Sequence, residues 1–516
     1  MAPGREGLFD SAGIREALGV PREAPGGRRG DSPAGQRRTS RPDLSVSGPW
    51  YTSVSTDTRT LRPGALFVAL AGQRHDAMEF LERAAAAGAR GAIVPADRPL
   101  PALNLEWFPV QDPLRALGAL AAFHRRRVGA RVVGITGTSG KTTVKEMTAA
   151  ALSGVCRVHR TPGNRNSQVG LPLSMFEAPE DAEVWVLELG ASEPGEIARL
   201  TLIAAPDDAV VTTVGPAHLE FFADETAILR EKLTLVAGAE RNGVVVVGET
   251  PLSLAREARA LRPDTIVAGV GPEAGFRPDR YGVEVERVWF ERAGVRFTVP
   301  VGGLHHLRDA LLAAAVAEAL GVPAPEAARG LETFRPLGMR GELRQWGALT
   351  VVADCYNANP ESFAAAIDYC AGGFGERRRV AVIGTMLELG AGSAAAHERV
   401  AARLVEAGFS LIAATGEFAG ALRAWRESRE GTEVLTAPDA DSVWPALAER
   451  LAGDEVVLVK GSRGVRLETL VARLKERFGG PDGPEVGDAS GPDAPVLETG
   501  ALEAGRETDA PEAEER

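Results

Sequence analysis

One stretch constrains this chain more than any other: residues 131–143, RVVGITGTSGKTT. Apolar residues lead into Gly137-Thr138-Ser139-Gly140-Lys141-Thr142-Thr143, and VKEMTAAAL follows with a helical pattern. A glycine-rich turn between a strand and a helix presents backbone N–H groups and a helix N-terminus to an anion. Lys141 can reach the outer phosphates of a nucleotide, and the Thr142 hydroxyl can bind Mg²⁺. Kinases, motors, GTPases and ligases all hold ATP this way. The loop gives the fuel and leaves the reaction open.

The length, 516 residues, predicts three or four structural units rather than one. With 44% hydrophobic and 25% charged residues the composition is that of a soluble globular chain. The opening MAPGREGLFD has no apolar core and does not read as a secretory signal. No run approaches the roughly 20 apolar residues that span a bilayer, so no membrane insertion is expected. Cys156, Cys355 and Cys370 form no metal-like pair and suggest a reducing compartment, hence a cytoplasmic protein.

The net charge of −12 is unevenly spread: from position 481 onward, eleven acids stand against two arginines. That tail also lacks aromatics and predicts disorder over 480–516. Residues 21–48 hold six arginines and three acids, without interleaved aromatics, and read as a flexible Arg/Gly/Pro-rich insertion. The nearly neutral remainder gives no support to nucleic-acid binding.

Three α/β blocks in series follow from the pattern. Residues 1–127 carry GALFVALAG and RGAIVPA as strands, with helices between and after. Residues 128–336 hold the phosphate loop, the apolar runs EVWVLELG, DAVVTTVG and NGVVVVGE, a single hairpin turning near Ala293-Gly294, and a closing helix. In residues 337–479, LTVVADCY, RVAVIGT, SLIAATG, TEVLTA and EVVLVKGS alternate with helical stretches. Such repetition predicts a Rossmann-like, doubly wound parallel sheet.

The usual phosphate-loop pattern, G-x-x-x-x-G-K-[ST], requires glycine at 135, where the chain has Ile135; Gly134 is one position early and Gly137 must supply the turn. The form T-G-T-x-G-K-T resembles the Mur ligase and folylpolyglutamate synthetase superfamily. Enzymes of this family activate a carboxylate with ATP as an acyl phosphate, which an amine then attacks. The resemblance implies Mg²⁺ at two sites, held by Thr142, Glu188 at the end of VWVLELG, His218 in AHL, and Lys232 carbamylated by CO₂. It also places Asn164 and Asn166, in TPGNRNS, near phosphate or substrate amides.

Within that superfamily, ADCYNANPES (353–362) resembles the UDP-N-acetylmuramoyl-tripeptide:D-alanyl-D-alanine ligase (MurF) type. The resemblance puts Asp354 at the ATP ribose and Tyr356, Asn357 and Asn359 in a turn facing the site. VIGTMLELG with His397, and LVKGSRGVRLE with Lys460 and Arg463 for phosphate or peptide carboxylate, agree with the same type. Arg340, in PLGMRGEL, matches an arginine reaching the ATP phosphates from the third block. STDTRTLRPGALFVALAG resembles a uridine-nucleotide domain, with Asp57, Thr58, Arg59 and Gly72 as its contacts.

These matches imply a monomeric ligase whose substrates are UDP-N-acetylmuramoyl-tripeptide, D-alanyl-D-alanine and ATP. Lys141, Lys232, His218 and Arg340 would carry its catalysis. Another amide ligase of the superfamily, or a non-catalytic binder of UDP-muramoyl-peptides, are the alternatives. The chain departs from the type at Met78, Thr234 and Thr385. It departs again at the adenine site, where H-N-x-x-N is replaced by His305-His306-Leu307-Arg308-Asp309. An ionised Asp309 cannot both donate and accept toward a base as an amide does, so altered nucleotide affinity or base preference is expected.

Overall fold

In the computed structural model the described residues are 7–19, 50–72, 76–428 and 431–480. The expectations for the 21–48 insertion and for the tail beyond Gly480 lie outside them. Among the described residues no helix is long and apolar enough to cross a membrane.

The central sheet has six parallel strands in the spatial order Ile266–Ala268, Val245–Gly248, Asp208–Val211, Arg131–Thr136, Val184–Glu188, Val158–Arg160. Its inner strands are continuous apolar runs because both faces are covered. Alternate residues go to opposite cores: Val133, Ile135, Val184 and Val186 to one, Val132, Trp185 and Leu187 to the other. Helices Lys141–Ser153 and Leu304–Ala319 close the first face, and Glu196–Ala204 and Glu225–Gly238 the second.

The predicted single hairpin is in fact a three-stranded antiparallel meander, Arg280–Val283, Val288–Arg292 and Val295–Val299. The turn at Ala293 (φ 50°) and Gly294 (φ 78°) is where the sequence put it. The other turn lies between Val283 and Val288, in EVER, which has no glycine, asparagine or proline to mark it.

The C-terminal sheet runs Glu342–Trp346, Leu349–Asp354, Val456–Lys460, Arg379–Ile383, Leu411–Thr415, Glu433–Ala437. Five strands are parallel; the first is an antiparallel edge that the sequence reading did not include, folded back at Gly347 (φ 60°). Val456–Lys460, the last strand among the described residues, inserts between the first two parallel ones, so Asp354, Lys460 and Ile383 lie side by side in register. Ligand sites of doubly wound sheets form at such crossover points, outside the carboxyl ends of the strands.

The N-terminal sheet has four parallel strands, Val54–Ser55, Leu66–Val68, Gly91–Pro95 and Glu106–Val110. Both edge strands are additional to the predicted pair; one is only two residues long and the other contains Pro109, which edge strands tolerate. Helix Ser11–Leu18 is capped by Asp10 and ended by Gly19 (φ 63°), and Phe9–Asp10 pairs with Trp50–Tyr51. Ser11 and Tyr51 both donate to Glu106, at 2.5 and 2.7 Å, which ties the chain start to this sheet.

Candidate active site

The carboxyl ends of the central and C-terminal sheets face each other across a cleft of about 820 Å³. On the central side the strand Arg131–Thr136 ends in the phosphate loop. Gly137 has no room for a side chain, since a Cβ would lie 2.0 Å from the Thr212 hydroxyl oxygen. Gly140 adopts φ 80° to start helix Lys141–Ser153. The Lys141 ammonium curls back onto the loop carbonyls of Gly137 and Thr138, at 2.8 and 3.0 Å. Burial holds its pKa below the ordinary lysine value.

Beside the loop, Glu188 is 1% exposed. It accepts the Thr142 hydroxyl at 2.9 Å and the Asn166 amide at 2.7 Å. Lys145, fully buried, lies 3.6 Å from the same carboxylate and donates to the carbonyls of Thr161 and Gly163, both at 2.7 Å. A buried carboxylate without such partners would cost several kcal/mol. Lys145 was not singled out in the sequence; its signal is a charged residue one helical turn after Lys141, on the apolar side of the helix.

The loop after strand Asp208–Val211 carries His218 at φ 53°. Its Nδ1 faces the Glu388 carboxylate at 2.5 Å. Burial holds the His218 pKa below the usual histidine value. Lys232, on helix Glu225–Gly238, is 2% exposed, and burial lowers its pKa to about 7. Thr234, one of the departures, spends its hydroxyl on the Glu231 carbonyl of its own helix.

From the C-terminal side, Asn359 caps helix Pro360–Gly373 by accepting from Ser362 N–H at 2.8 Å, and its amide donates to Ser139 in the phosphate loop at 3.1 Å. Glu361 accepts the Thr213 hydroxyl at 3.2 Å. The Lys460 ammonium is buried and bonded to Asp354 at 2.6 Å. It therefore neutralises the strand-end acid instead of standing free for phosphate. Asp354 also accepts from Gly341 N–H, and the guanidiniums of Arg340 and Arg463 flank the Tyr356 ring at 3.6 and 4.9 Å. Thr385, another departure, accepts from Glu417 N–H and serves the loop rather than the cleft.

Most of the predicted residues line this one cleft: Thr138 to Thr143, Asn164, Asn166, Glu188, His218, Asp309, Arg340, Asp354, Tyr356, Asn357, Asn359, Lys460 and Arg463. Gly137 and Lys232 are not among its lining residues. Asp57, Thr58, Arg59 and Gly72 stay with the N-terminal sheet, where Arg59 clamps Asp57 at 2.6 Å and lowers its pKa to about 2. Glu249, Arg308, Glu361 and Glu388 line the cleft as well, though sequence reasoning gave them no role.

Among the described residues no three His, Cys, Asp or Glu side chains gather as a self-sufficient metal cage. Mg²⁺ takes one or two carboxylates and completes its shell with water and substrate phosphates, and Glu188 beside the Thr142 hydroxyl offers donors of that kind.

The family model for the Mur ligase middle domain matches residues 135–317, and that for the Mur ligase, glutamate ligase domain matches 339–463. UDP-N-acetylmuramoyl-tripeptide--D-alanyl-D-alanine ligase of Bacillus subtilis is 33% identical over 82% of this chain and 93% of its own. That of Treponema pallidum is 34% identical over 83% and 94%. MurF of Acinetobacter baumannii superposes with a TM-score of 0.77, at 28% identity, over 91% of this chain and 99% of its own. MurF ligase of Thermotoga maritima in complex with ADP gives 0.73, at 30% identity, over 83% and 97%. The chain belongs to the Mur ligase family, and within it to the UDP-N-acetylmuramoyl-tripeptide--D-alanyl-D-alanine ligases.

Proposed function

We propose that this cleft joins D-alanyl-D-alanine to UDP-N-acetylmuramoyl-tripeptide at the expense of ATP, in the synthesis of a peptidoglycan precursor. The observation that carries this reading is the Ser139–Asn359 contact, which seats the phosphate loop against the Asp354–Asn359 turn. An ATP loop and an acceptor-side turn then share one enclosed space, as a carboxylate-activating ligase requires.

A terminal carboxylate oxygen of the tripeptide attacks the γ-phosphorus and ADP leaves. The dipeptide amine then attacks the acyl carbon, phosphate departs with that oxygen, and the amine loses a proton as the amide forms. The protein positions anions and balances their charge. Lys141 turns from the loop carbonyls to the outer phosphates, and Arg340 adds a cation from the C-terminal side. Thr142, Glu188 and His218, with Asn166 beside them, would hold Mg²⁺, which neutralises phosphate charge during transfer. The lowered pKa of Lys232 suits carbamylation, because only the neutral amine adds CO₂.

Asp57, Thr58, Arg59 and Gly72 would bind the uridine nucleotide. The domains would span 1–127, 128–336 and 337–479. A cytoplasmic monomer is the state this reading assigns. Incubation with MgATP and both substrates should yield the UDP-linked pentapeptide by mass. Tight binding of the tripeptide without that product would overturn catalysis in favour of a binding role.

A further inference from the structure

Helix Leu304–Ala319 turns Asp309 onto the phosphate loop. A Cβ on Gly140 would lie 2.6 Å from Asp309 Oδ1, so the carboxyl rests against the residue that begins the loop's helix. Asp309 is 7% exposed. The neighbouring cation on its own helix, Arg308, is committed to Glu249 at 2.8 Å. Lys141, from the loop, is committed to two carbonyls. His306 donates Nδ1–H to Gly302, and burial keeps both it and His305 below the usual histidine range, hence neutral.

From the opposite domain, helix Pro360–Gly373 brings a second carboxyl, Glu361, close to a loop backbone: its Oε2 would lie 3.0 Å from a Cβ on Gly215. Burial and this like charge push Asp309 well above the usual carboxylate range, and burial raises Glu361 too. Asp309 thus rests on the loop built to receive polyphosphate, and Glu361 on the neighbouring loop, where it accepts the Thr213 hydroxyl. Two negative charges there would repel the ligand, whereas a carboxylic acid offers one O–H donor and one carbonyl acceptor, as an asparagine amide offers both functions.

We propose that Asp309 works as a neutral carboxylic acid in the nucleotide-bound state, so that nucleotide binding takes up a proton. The inference rests on reading the cleft as the ATP site. In the free protein the acid titrates beside Glu361; bound phosphate adds negative charge and holds the proton on. Affinity is therefore highest at low pH and falls, by up to tenfold per pH unit, above the pKa of the free form.

The test is calorimetric binding of ADP with Mg²⁺ to the full chain from pH 6 to 9.5, in buffers of different ionisation enthalpy. The wild type should take up close to one proton as its affinity declines. Asp309→Asn, a neutral isostere, should keep the low-pH affinity, lose the Asp309 contribution to proton uptake, and flatten the profile. Glu361→Gln, by removing the like charge, should move the wild-type transition to lower pH. An Asp309→Asn variant with the wild-type slope, or one more than tenfold weaker at every pH, overturns the proposal. The second result would mean that the ionised carboxylate itself holds the ligand. A wild type that binds no ADP at any pH overturns the reading of the cleft, and the proposal with it.

Discussion

His218 and Glu388 meet across the cleft from two different sheets, Nδ1 to Oε2 at 2.5 Å, and both stand in the left-handed region, at φ 53° and 65°. A non-glycine residue there costs on the order of 1 kcal/mol or more and persists where its surroundings hold it. Here each loop braces the other: Glu220 N–H donates to the Glu388 carbonyl, and Gly390 packs on the Leu219 and Glu220 backbone. The C-terminal domain thus aims a histidine that belongs to the central one.

Glu388→Gln keeps the shape of that contact and removes its charge. Partners that orient a metal-binding histidine typically matter by about 10–100-fold. Turnover should fall by about that factor and the Mg²⁺ requirement should rise, as initial rates against Mg²⁺ concentration will read. An unchanged Mg²⁺ dependence would contradict the assignment.

Gly137→Ala places a methyl 2.0 Å from the Thr212 hydroxyl oxygen and 3.1 Å from its backbone nitrogen. The strand end cannot recede without breaking the Thr212 N–H bond to the Thr136 carbonyl. The expected destabilisation is about 1–3 kcal/mol, with loss of nucleotide binding. Thermal unfolding with and without ADP should show a lower Tm and little ADP-induced gain.

Lys145→Met removes a buried ammonium that lies 3.1 Å from Glu146 and 3.6 Å from Glu188 and donates to two carbonyls. Breaking a buried pair on one side costs about 3–5 kcal/mol, because the carboxylate stays behind uncompensated. Urea unfolding should register a loss of that order. A change below about 1 kcal/mol would show that Thr142 and Asn166 suffice to hold Glu188.

Lys232, lowered to about 7 by burial, gives a pH dependence of definite sign. Below pH 7 the ammonium predominates and cannot add CO₂; above it the neutral amine is available to do so. At limiting bicarbonate, turnover should rise with pH through about 7 and then level. Lys232→Ala should be almost inactive, with partial recovery on adding a short carboxylic acid. Full activity without any acid would dismiss the carbamate.

Among the described residues, all that line the cleft lie before position 465. Deleting 481–516 should therefore leave kcat and KM unchanged in a steady-state assay, and a large loss of rate would give the acidic tail a catalytic part.

What the sequence disclosed and what it hid have physical causes. Strands such as VVGIT and VVLVK are buried on both faces, so their apolar runs were plain. Glu106–Val110, Glu342–Trp346 and the turn in EVER were missed because edge strands carry charge or proline and that turn uses ordinary residues. Lys141, Thr142 and Asp354 follow from motifs in which neighbours in sequence are neighbours in space. Lys145–Glu188, His218–Glu388 and Asp309–Glu361 join residues far apart in the chain, and only the packing of sheets and helices brings them together. The commitment of Lys460 to Asp354 was hidden for the same reason: strand register sets it, and no local motif encodes it.

The most direct test of the central claim follows one oxygen atom. UDP-N-acetylmuramoyl-tripeptide labelled with ¹⁸O in its terminal carboxylate is turned over with MgATP and D-alanyl-D-alanine, and the released phosphate is weighed by mass spectrometry. Activation as an acyl phosphate predicts one ¹⁸O in each phosphate. Pentapeptide formed with unlabelled phosphate, or phosphate released with no dependence on either substrate, would contradict it.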